Sequence, residues 1–197
     1  LVVVVAAMSL EFVSVRSTIS DAENEANTNS VVSYAGAIDA YVREARSIIQ
    51  VTAYEAEDQV TGDASLTVGG VPREALDELA ASILESSSAF EYVVLADAAG
   101  LIISATPQEL QQSLVRNDLG FIGWYKKLMS TGQTVVSDLH ISSVTQRPSV
   151  VVATPLHDST GEIEGVWAGG LRLERLSEIG VVPGAVSRYG YVTDSRG

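Results

Sequence analysis

Apolar side chains recur along residues 21–59 at alternating steps of four and three, which is the spacing of one face of a long helix. No proline interrupts this stretch, and Thr61-Gly62-Asp63 supplies turn residues at its end. The face consists of Val31, Ala35, Ile38, Val42, Ala45, Ile49 and Thr52, widened by Tyr34, Tyr41, Ile48 and Tyr54. We predict a helix within residues 21–62 that serves as a stalk, as a core helix, or as the seam of a homodimer.

A second, shorter helix is predicted after Pro72, because proline suits the first helical turn and an apolar stripe follows it. The stripe is Leu76, Leu79, Ala80, Ile83 and Leu84. The helix is expected to end at Ser86-Ser87-Ser88, since serine favours helix ends over helix interiors.

From Phe90 to Leu173 the pattern changes to short β-branched runs separated by turn residues, which predicts an antiparallel sheet. The first two strands are Glu91–Ala96 and Leu101–Ser104, and Asp97–Gly100 has the chemistry of a turn between them. A short aromatic helix at Phe121–Tyr125 follows. The remaining predicted strands are Val135–Ser142, Val150–Thr154 and Ile163–Leu173. The predicted fold class is α+β.

The N-terminal residues are apolar and carry no charge before Glu11. A span of the bilayer needs about 20 apolar residues, so this run is too short to cross by itself. Because a helical pattern continues from it, we predict that residues 1–20 form the end of a transmembrane helix. The core of a signal peptide and a buried strand are the alternatives.

The last residues of the chain repeat an earlier pattern. In both Tyr92–Gly100 and Tyr189–Gly197 a tyrosine stands five residues before an Asp-x-x-Gly turn. We interpret residues 63–180 as one module and residues 181–197 as the truncated beginning of a second, similar one. Coincidence is the alternative, because Asp-x-x-Gly turns are common.

Composition and charge exclude several classes of function. A formal net charge of −13 argues against binding nucleic acid or anionic lipid. There is no cysteine for a disulfide or a thiolate metal site, and the two histidines, His140 and His157, lie in no metal-binding spacing. No Gly-x-Ser-x-Gly elbow and no phosphate-binding glycine loop occurs. We therefore predict no enzyme, no metal and no cofactor.

Several weak motifs follow one another in the order that is typical of a known family. They are Asp97–Gly100, Trp124-Tyr125, Gly132, Val136-Ser137-Asp138, Ala153–Leu156, Asp158–Gly161 and Gly165-Val166-Trp167. This order resembles a Cache domain of the double-Cache form, the extracytoplasmic sensor of prokaryotic chemoreceptors, histidine kinases and cyclic-dinucleotide enzymes. The resemblance implies a PAS-like sheet packed on the long helix. It also implies a small-molecule pocket between the sheet and the aromatic helix.

The predicted strand Val135–Ser142 offers a candidate wall for that pocket. Strict alternation places Asp138, His140 and Ser142 on one face and Leu139 and Ile141 on the other. A solvated strand face is the alternative. With Trp124, Tyr125, Arg147 and Gly170, these three polar residues complete the predicted ligand-binding set. Arg147 would supply a positive charge unless its turn exposes it, and the small Gly170 would leave room for a ligand or let the sheet bend.

The resemblance also bears on the ligand. In the amino-acid-binding Cache subgroup, an arginine two residues before the equivalent tryptophan grips the ligand carboxylate, and an aspartate on the final strand holds the amino group. Here those positions hold Ile122 and either Gly169 or Gly170. We predict a small polar metabolite that is not a standard α-amino acid.

The sequence thus predicts a ligand-binding sensor of a transmembrane receptor at the cell membrane, periplasmic or extracellular. The N-terminal helix would anchor it, and the long helix would make it a homodimer. The alternative is a membrane-anchored structural or adhesion domain without a small-molecule pocket. A ligand that raises the melting temperature would distinguish the two.

Overall fold

The computed structural model describes residues 2–7, 12–17, 21–60, 73–111, 117–142 and 145–179. The chain forms two compact units, residues 1–43 with 173–197, and residues 44–172. The long helix α1 spans Asp21–Val60 and contributes residues to both units. The predicted second module at residues 181–197 lies outside the described residues.

In the first unit the N-terminal residues form strands where the sequence predicted a helix. Strand β1 (Val2–Ala7) pairs antiparallel with β2 (Phe12–Ser17). Four consecutive valines account for this, because β-branched side chains lose rotamer freedom in a helix and fit a pleated strand. No helix in the described ranges is both long and apolar enough to cross a membrane. The same unit holds α4 (Glu174–Ile179), and the Tyr34 hydroxyl donates a hydrogen bond to the Leu176 carbonyl oxygen at 3.1 Å.

Helix α1 lies within the predicted residues 21–62, beginning at Asp21 and ending at Val60. Its buried side chains follow the predicted seam and extend it; they are Ala35, Ile38, Tyr41, Val42, Ala45, Ile49, Ala53 and Ala56. The prediction was wrong for Tyr54, which is 74% exposed. The seam residues from Ala35 to Ile49 that are buried therefore pack within one chain.

The second unit contains a five-stranded antiparallel sheet with strand order β4-β3-β9-β8-β5. Its strands are β3 (Phe90–Asp97), β4 (Ile102–Thr106), β5 (Val135–Val136), β8 (Val151–His157) and β9 (Ile163–Leu171). The other elements are α2 (Arg73–Ser86), α3 (Gly123–Thr131) and the two-stranded hairpin of β6 (His140–Ile141) and β7 (Pro148–Ser149).

The predicted turn between β3 and β4 is present, and its sequence explains it. One Asp97 carboxylate oxygen accepts the backbone N–H groups of Ala99 and Leu101, both at 2.9 Å. Gly100 has φ +90°, and a Cβ there would lie 2.8 Å from the backbone nitrogen of Gly120. Both the conformation and the close approach therefore require glycine.

The two faces of the sheet are covered by different helices. On what we call the α1 face, the Trp167 indole nitrogen donates to the Thr52 hydroxyl of α1 at 3.0 Å. At the end of the same helix, a Glu57 carboxylate oxygen accepts the backbone N–H of His157 at 2.7 Å. The opposite face, which we call the α3 face, carries an apolar cluster that continues onto α3. Its main members are Tyr92, Val94, Ala96, Val151, Ala153, Val166, Ala168, Trp124, Tyr125 and Leu128.

The predicted strand Val135–Ser142 is not one strand, and this correction removes the predicted polar file. β5 ends after Val136, where the Ser137 hydroxyl oxygen accepts the Val151 backbone N–H at 2.9 Å. A side-chain acceptor here competes with the backbone ladder, so the chain leaves the sheet. Beyond it, the neighbouring residues Asp138 and Leu139 are both exposed, so strict alternation does not hold.

Candidate functional site

Helix α3 presents both predicted aromatic residues to the α3 face. Ile122 is its N-cap, and Gly132 ends it with φ +63° while donating its N–H to the Leu128 carbonyl oxygen. Trp124 and Tyr125 are both buried, and their rings meet edge to face with centroids 6.1 Å apart. The aromatic pair is therefore a fixed part of the cluster.

The polar ends of these two residues differ. The Tyr125 hydroxyl donates to the Ala98 carbonyl oxygen at 3.0 Å, and burial, then the charges of Asp97 and Asp118, raise the pKa of Tyr125. The indole nitrogen of Trp124 is buried and has no hydrogen-bond partner among the described residues. A buried donor costs free energy when it is left unpaired. Of the two aromatic residues, Trp124 is therefore the one whose hydrogen-bond donor is still available to an acceptor atom.

Tyr92 and Gly170 lie opposite each other on β3 and β9. A Cβ built on Gly170 would come within 2.2 Å of the Tyr92 ring. The tyrosine ring therefore occupies the space over Gly170 that the sequence assigned to a ligand. The absence of a side chain at Gly170 therefore lets the Tyr92 ring approach the backbone of β9 closely.

The Tyr92 hydroxyl lies among other buried hydroxyl groups. It hydrogen-bonds with the hydroxyl of Ser142 at 3.1 Å and with that of Ser149 at 3.4 Å. The Thr145 backbone N–H donates to the Ser142 hydroxyl oxygen at 3.3 Å. The Thr145 hydroxyl oxygen is buried and has no partner within the described ranges. We call Tyr92, Ser142, Thr145 and Ser149 the hydroxyl cluster.

The hydroxyl cluster is held in an uncharged state. Burial raises the pKa of Tyr92, outweighing the opposite effect of its bonds with Ser142 and Ser149. Tyr92 and Trp124 belong to one apolar cluster, so both lie on the α3 face of the sheet. Together they form a buried surface that can donate and accept hydrogen bonds without a formal charge.

Two predicted site residues, Asp138 and Arg147, are exposed. The Asp138 carbonyl oxygen lies 3.0 Å from Nδ1 of the half-buried His140, whose strand position pairs with Ser149 of the hydroxyl cluster. The Arg147 side chain is 66% exposed and pairs with Glu91 at 3.6 Å. The structure thus places Trp124, Tyr125 and Gly170 on the α3 face and Ser142 in the hydroxyl cluster, with His140 on the strand beside that cluster.

Sequence reasoning missed Tyr92, Thr145 and Ser149. For Tyr92 the sequence held a signal for the face but not for the partner, because its strand position shares the two-residue phase of the buried Val94 and Ala96. Thr145 and Ser149 had no such signal, since hydroxyl residues are frequent in turns.

In the part of the chain that the structure describes, no three histidine, cysteine, aspartate or glutamate side chains come together as metal ligands. The buried surface consists instead of hydroxyl groups, an indole and apolar side chains, which suits a small organic molecule.

Comparison with known proteins identifies the family. A family model described as a Cache domain matches residues 13–197. The chain belongs to the Cache domain family. This confirms the family predicted from the motif order and the α+β fold with a long N-terminal helix. No curated protein matches this Cache domain.

Solved structures with the same fold are sensor domains. The sensory domain of the Campylobacter jejuni chemoreceptor Tlp3 has a TM-score of 0.66 at 12% identity, and the match covers 80% of this chain and 64% of that one. The sensor domain of the Vibrio cholerae histidine kinase DctB gives 0.62 at 16%, covering 82% and 60%. The ligand-binding domain of the Pseudomonas fluorescens chemoreceptor CtaA in complex with L-alanine has a TM-score of 0.60 at 19% identity, and the match covers 81% of this chain and 63% of that one. Across the solved chains compared, this Cache domain spans between 25% and 64% of their length.

Proposed function

We propose that this Cache domain is the extracytoplasmic, small-molecule-binding sensor of a membrane receptor of the chemoreceptor or sensor-kinase type. It acts by binding and not by catalysis. The observation that carries the proposal is the buried indole N–H of Trp124, which has no partner in the described part of the chain. A buried, unpaired donor costs about 1–3 kcal/mol, and an acceptor atom of a ligand would recover that free energy.

The surroundings of Trp124 support a binding role. Ile122, Met129 and Leu110 are partly buried against the same apolar cluster, so they supply the apolar wall that small-molecule sites need. The hydroxyl cluster supplies the few polar groups that fix a ligand's orientation. The proposed ligand-binding residues are therefore Trp124, Ser142, Thr145 and Tyr92, in place of the exposed Asp138 and Arg147.

The ligand we propose is a small polar molecule other than an α-amino acid. CtaA was solved with L-alanine, and the Pseudomonas aeruginosa chemoreceptor PctC with GABA. The charged anchors of the amino-acid-binding subgroup are replaced here by Ile122, which is half-buried, and Gly170, which Tyr92 covers. The carboxylate and the ammonium group of an α-amino acid would therefore each lack the charged side chain that binds it in that subgroup.

The signal would leave the site through the sheet. We propose that ligand on the α3 face changes the position of β8 and β9 slightly, and that their contacts on the α1 face bias α1 between two states. The Trp167–Thr52 and His157–Glu57 hydrogen bonds are the contacts available for this. Attachment to a membrane and association into a homodimer belong to the same proposal.

A thermal-shift screen with two tryptophan variants tests the proposal. Polar metabolites are screened for a rise in melting temperature, and each hit is repeated on Trp124→Phe and Trp167→Phe. Trp124→Phe removes an unpaired donor, so we expect at least about a tenfold loss of affinity, or about 1.4 kcal/mol. Trp167→Phe removes a paired donor on the opposite face, so it should cost about 1 kcal/mol of stability and leave ligand affinity unchanged.

Two results would contradict this assignment. If no compound among amines, organic acids, amides, polyols, amino acids and purines stabilises the domain, a structural or adhesion role becomes the better account. If a hit stabilises both variants equally, the protein binds small molecules at a place other than Trp124.

A further inference from the structure

We propose that the position of α3 is coupled to α1 through the hydroxyl group of Thr134, which hydrogen-bonds with Gln50 of α1. This rests on the proposed function, because α3 carries Trp124 and α1 is the element that the proposed signal changes. It adds a route from α3 to α1 that does not require the central strands of the sheet to move.

The connection from α3 to Thr134 is short and internally hydrogen-bonded. Helix α3 ends at Thr131, and only Gly132 and Gln133 separate it from Thr134. The Gly132 N–H donates to the Leu128 carbonyl oxygen at 2.8 Å. The Gln133 N–H donates to the Thr131 hydroxyl oxygen at 3.3 Å. Because these bonds tie the connection to the last turn of α3, we expect Thr134 to move together with that helix.

The Thr134 hydroxyl lies on the α1 face of the sheet. Its oxygen accepts the side-chain amide of Gln50 at 2.9 Å and lies 2.8 Å from the hydroxyl oxygen of Thr154. Thr154 stands opposite Trp167 in the β8–β9 ladder, and the indole of Trp167 donates to α1. A hydroxyl both accepts and donates, so Thr134 can accept from Gln50 while it donates to Thr154. One side chain thus connects the end of α3 with α1 and with the sheet.

Thr134 is also at the edge of the sheet, where movement costs least. It directly precedes β5, which has only two residues and stands last in the strand order. Trp167 and His157 also hydrogen-bond with α1, but they belong to β9 and β8, and each of those strands is paired on both sides. Local movement is easiest where few backbone hydrogen bonds have to break. A small displacement of α3 should therefore reach Gln50 before it moves the central strands.

The hydrogen bond between Gln50 and Thr134 can be broken at little cost. Gln50 is exposed, so water can replace Thr134 as the partner of its amide. Thr134 keeps its second bond, to Thr154, when the first is lost. The states with and without the bond therefore differ little in free energy, as an element that responds to a ligand requires.

Backbone strain at the end of α3 tests the coupling without any ligand. Gly132 has φ +63°, and a Cβ there meets no atom within 4 Å, so Gly132→Ala strains the backbone without a clash. Amide hydrogen exchange of the whole chain is measured by mass spectrometry over residues 47–56 of α1. We expect Gly132→Ala to accelerate exchange there by about threefold or more. In the Gln50→Ala background, which lacks the donor, the same substitution should cause no change.

Two matched controls locate the coupling. Gly161→Ala applies the same kind of strain to the β8–β9 turn, since Gly161 has φ +86° and no atom within 4 Å of a Cβ, and it should leave exchange in residues 47–56 unchanged. Thr52→Val removes the acceptor of the Trp167 indole but keeps the Gln50–Thr134 bond, so the response to Gly132→Ala should persist in that background. If Gly132→Ala does not fold, Gly132→Asn takes its place, because asparagine tolerates positive φ better than alanine.

Three results would overturn the inference. The first is an equal response to Gly132→Ala in the parent and Gln50→Ala proteins, and the second is no response in the parent. The third is an equal response to Gly161→Ala, which would mean that the whole sheet and not Thr134 couples to α1. Because no ligand is needed, these failures are distinct from a metabolite screen without a hit, which would count against the proposed function alone.

Discussion

Replacing Gly170 by alanine is expected to destabilise the second unit, because the Tyr92 ring already occupies the place of the added methyl group. The new Cβ would lie 2.2 Å from Cε1, 2.3 Å from Cζ and 2.8 Å from the hydroxyl oxygen of Tyr92. Apolar contacts are normally about 3.5–4.0 Å long, so the ring has to move. Tyr92 is only 2% exposed, and its hydroxyl is bonded to Ser142 and Ser149, so little room for movement exists.

Overpacking of this kind costs about 1–3 kcal/mol. In a domain of this size 1 kcal/mol lowers the melting temperature by roughly 2–4 °C, so we expect a decrease of about 4–8 °C for a cost of about 2 kcal/mol. Scanning calorimetry or circular dichroism of the whole chain measures this. Gly123→Ala is the matched control, since a Cβ there meets no atom within 4 Å, and its effect should stay within about 0.5 kcal/mol.

A double-mutant cycle identifies the cause. Removing the ring by Tyr92→Ala makes room for the methyl group of Gly170→Ala, so the double variant should be more stable than the sum of the single effects by about 1–3 kcal/mol. Gly169→Ala is the comparison, because its Cβ would meet Phe90 at 2.5 Å and Ile49 at 3.0 Å on the α1 face. It should destabilise the protein without coupling to Tyr92→Ala. Equal coupling for both glycines, or no effect of Gly170→Ala, would refute the reasoning.

The remaining predictions concern pH. Because the pKa of Tyr92 is raised above its ordinary value of 10.0, its contribution to stability is present below pH 10 and is lost as the pH rises through the folded-state pKa. Tyr92→Phe should therefore flatten the alkaline loss of stability in urea titrations, and an unchanged alkaline slope would contradict this. The pKa of Asp158 is lowered from its ordinary value of 3.8, first by the hydrogen bond from the Thr160 hydroxyl and then by hydrogen bonds from backbone N–H groups, of which that of Glu162 has the largest effect. The contribution of Asp158 to folding stability is therefore present above pH 3.8 and is lost as the pH falls through the folded-state pKa. Asp158→Ala should reduce the acid sensitivity of the thermal midpoint, and an identical acid profile for variant and parent would show that this turn does not contribute.

The elements that the sequence predicted well are those whose signal lies within one segment. Helix α1 followed from the four-and-three spacing of its buried side chains, because one helix face repeats at that interval. Strands β3 and β9 followed from β-branched runs ended by turn residues. The turn at Asp97–Gly100 followed from an aspartate that caps its own backbone and a glycine with positive φ.

The elements that were wrong depend on contacts between distant segments. The strand predicted from Val135 to Ser142 ends early because the Ser137 hydroxyl oxygen accepts the backbone N–H of Val151. The alternation of polar and apolar residues does not indicate this hydrogen bond. Gly170 was predicted to leave room for a ligand or to let the sheet bend, because nothing local shows that Tyr92 lies over it. Register between strands decides both cases, and register is fixed by the whole sheet.

The two tryptophans show why the site depends on more than residue type. Trp124 and Trp167 are both buried, both pack in apolar surroundings and both carry one donor. Trp167 donates to Thr52, a residue 115 positions away in the chain, and so contributes to holding α1 on the sheet. Trp124 faces the opposite side and has no partner for its donor in the described ranges. Since leaving a buried donor unpaired costs free energy, the unpaired indole is the one that we propose a ligand contacts, and for this reason the proposed role belongs to Trp124 and not to Trp167.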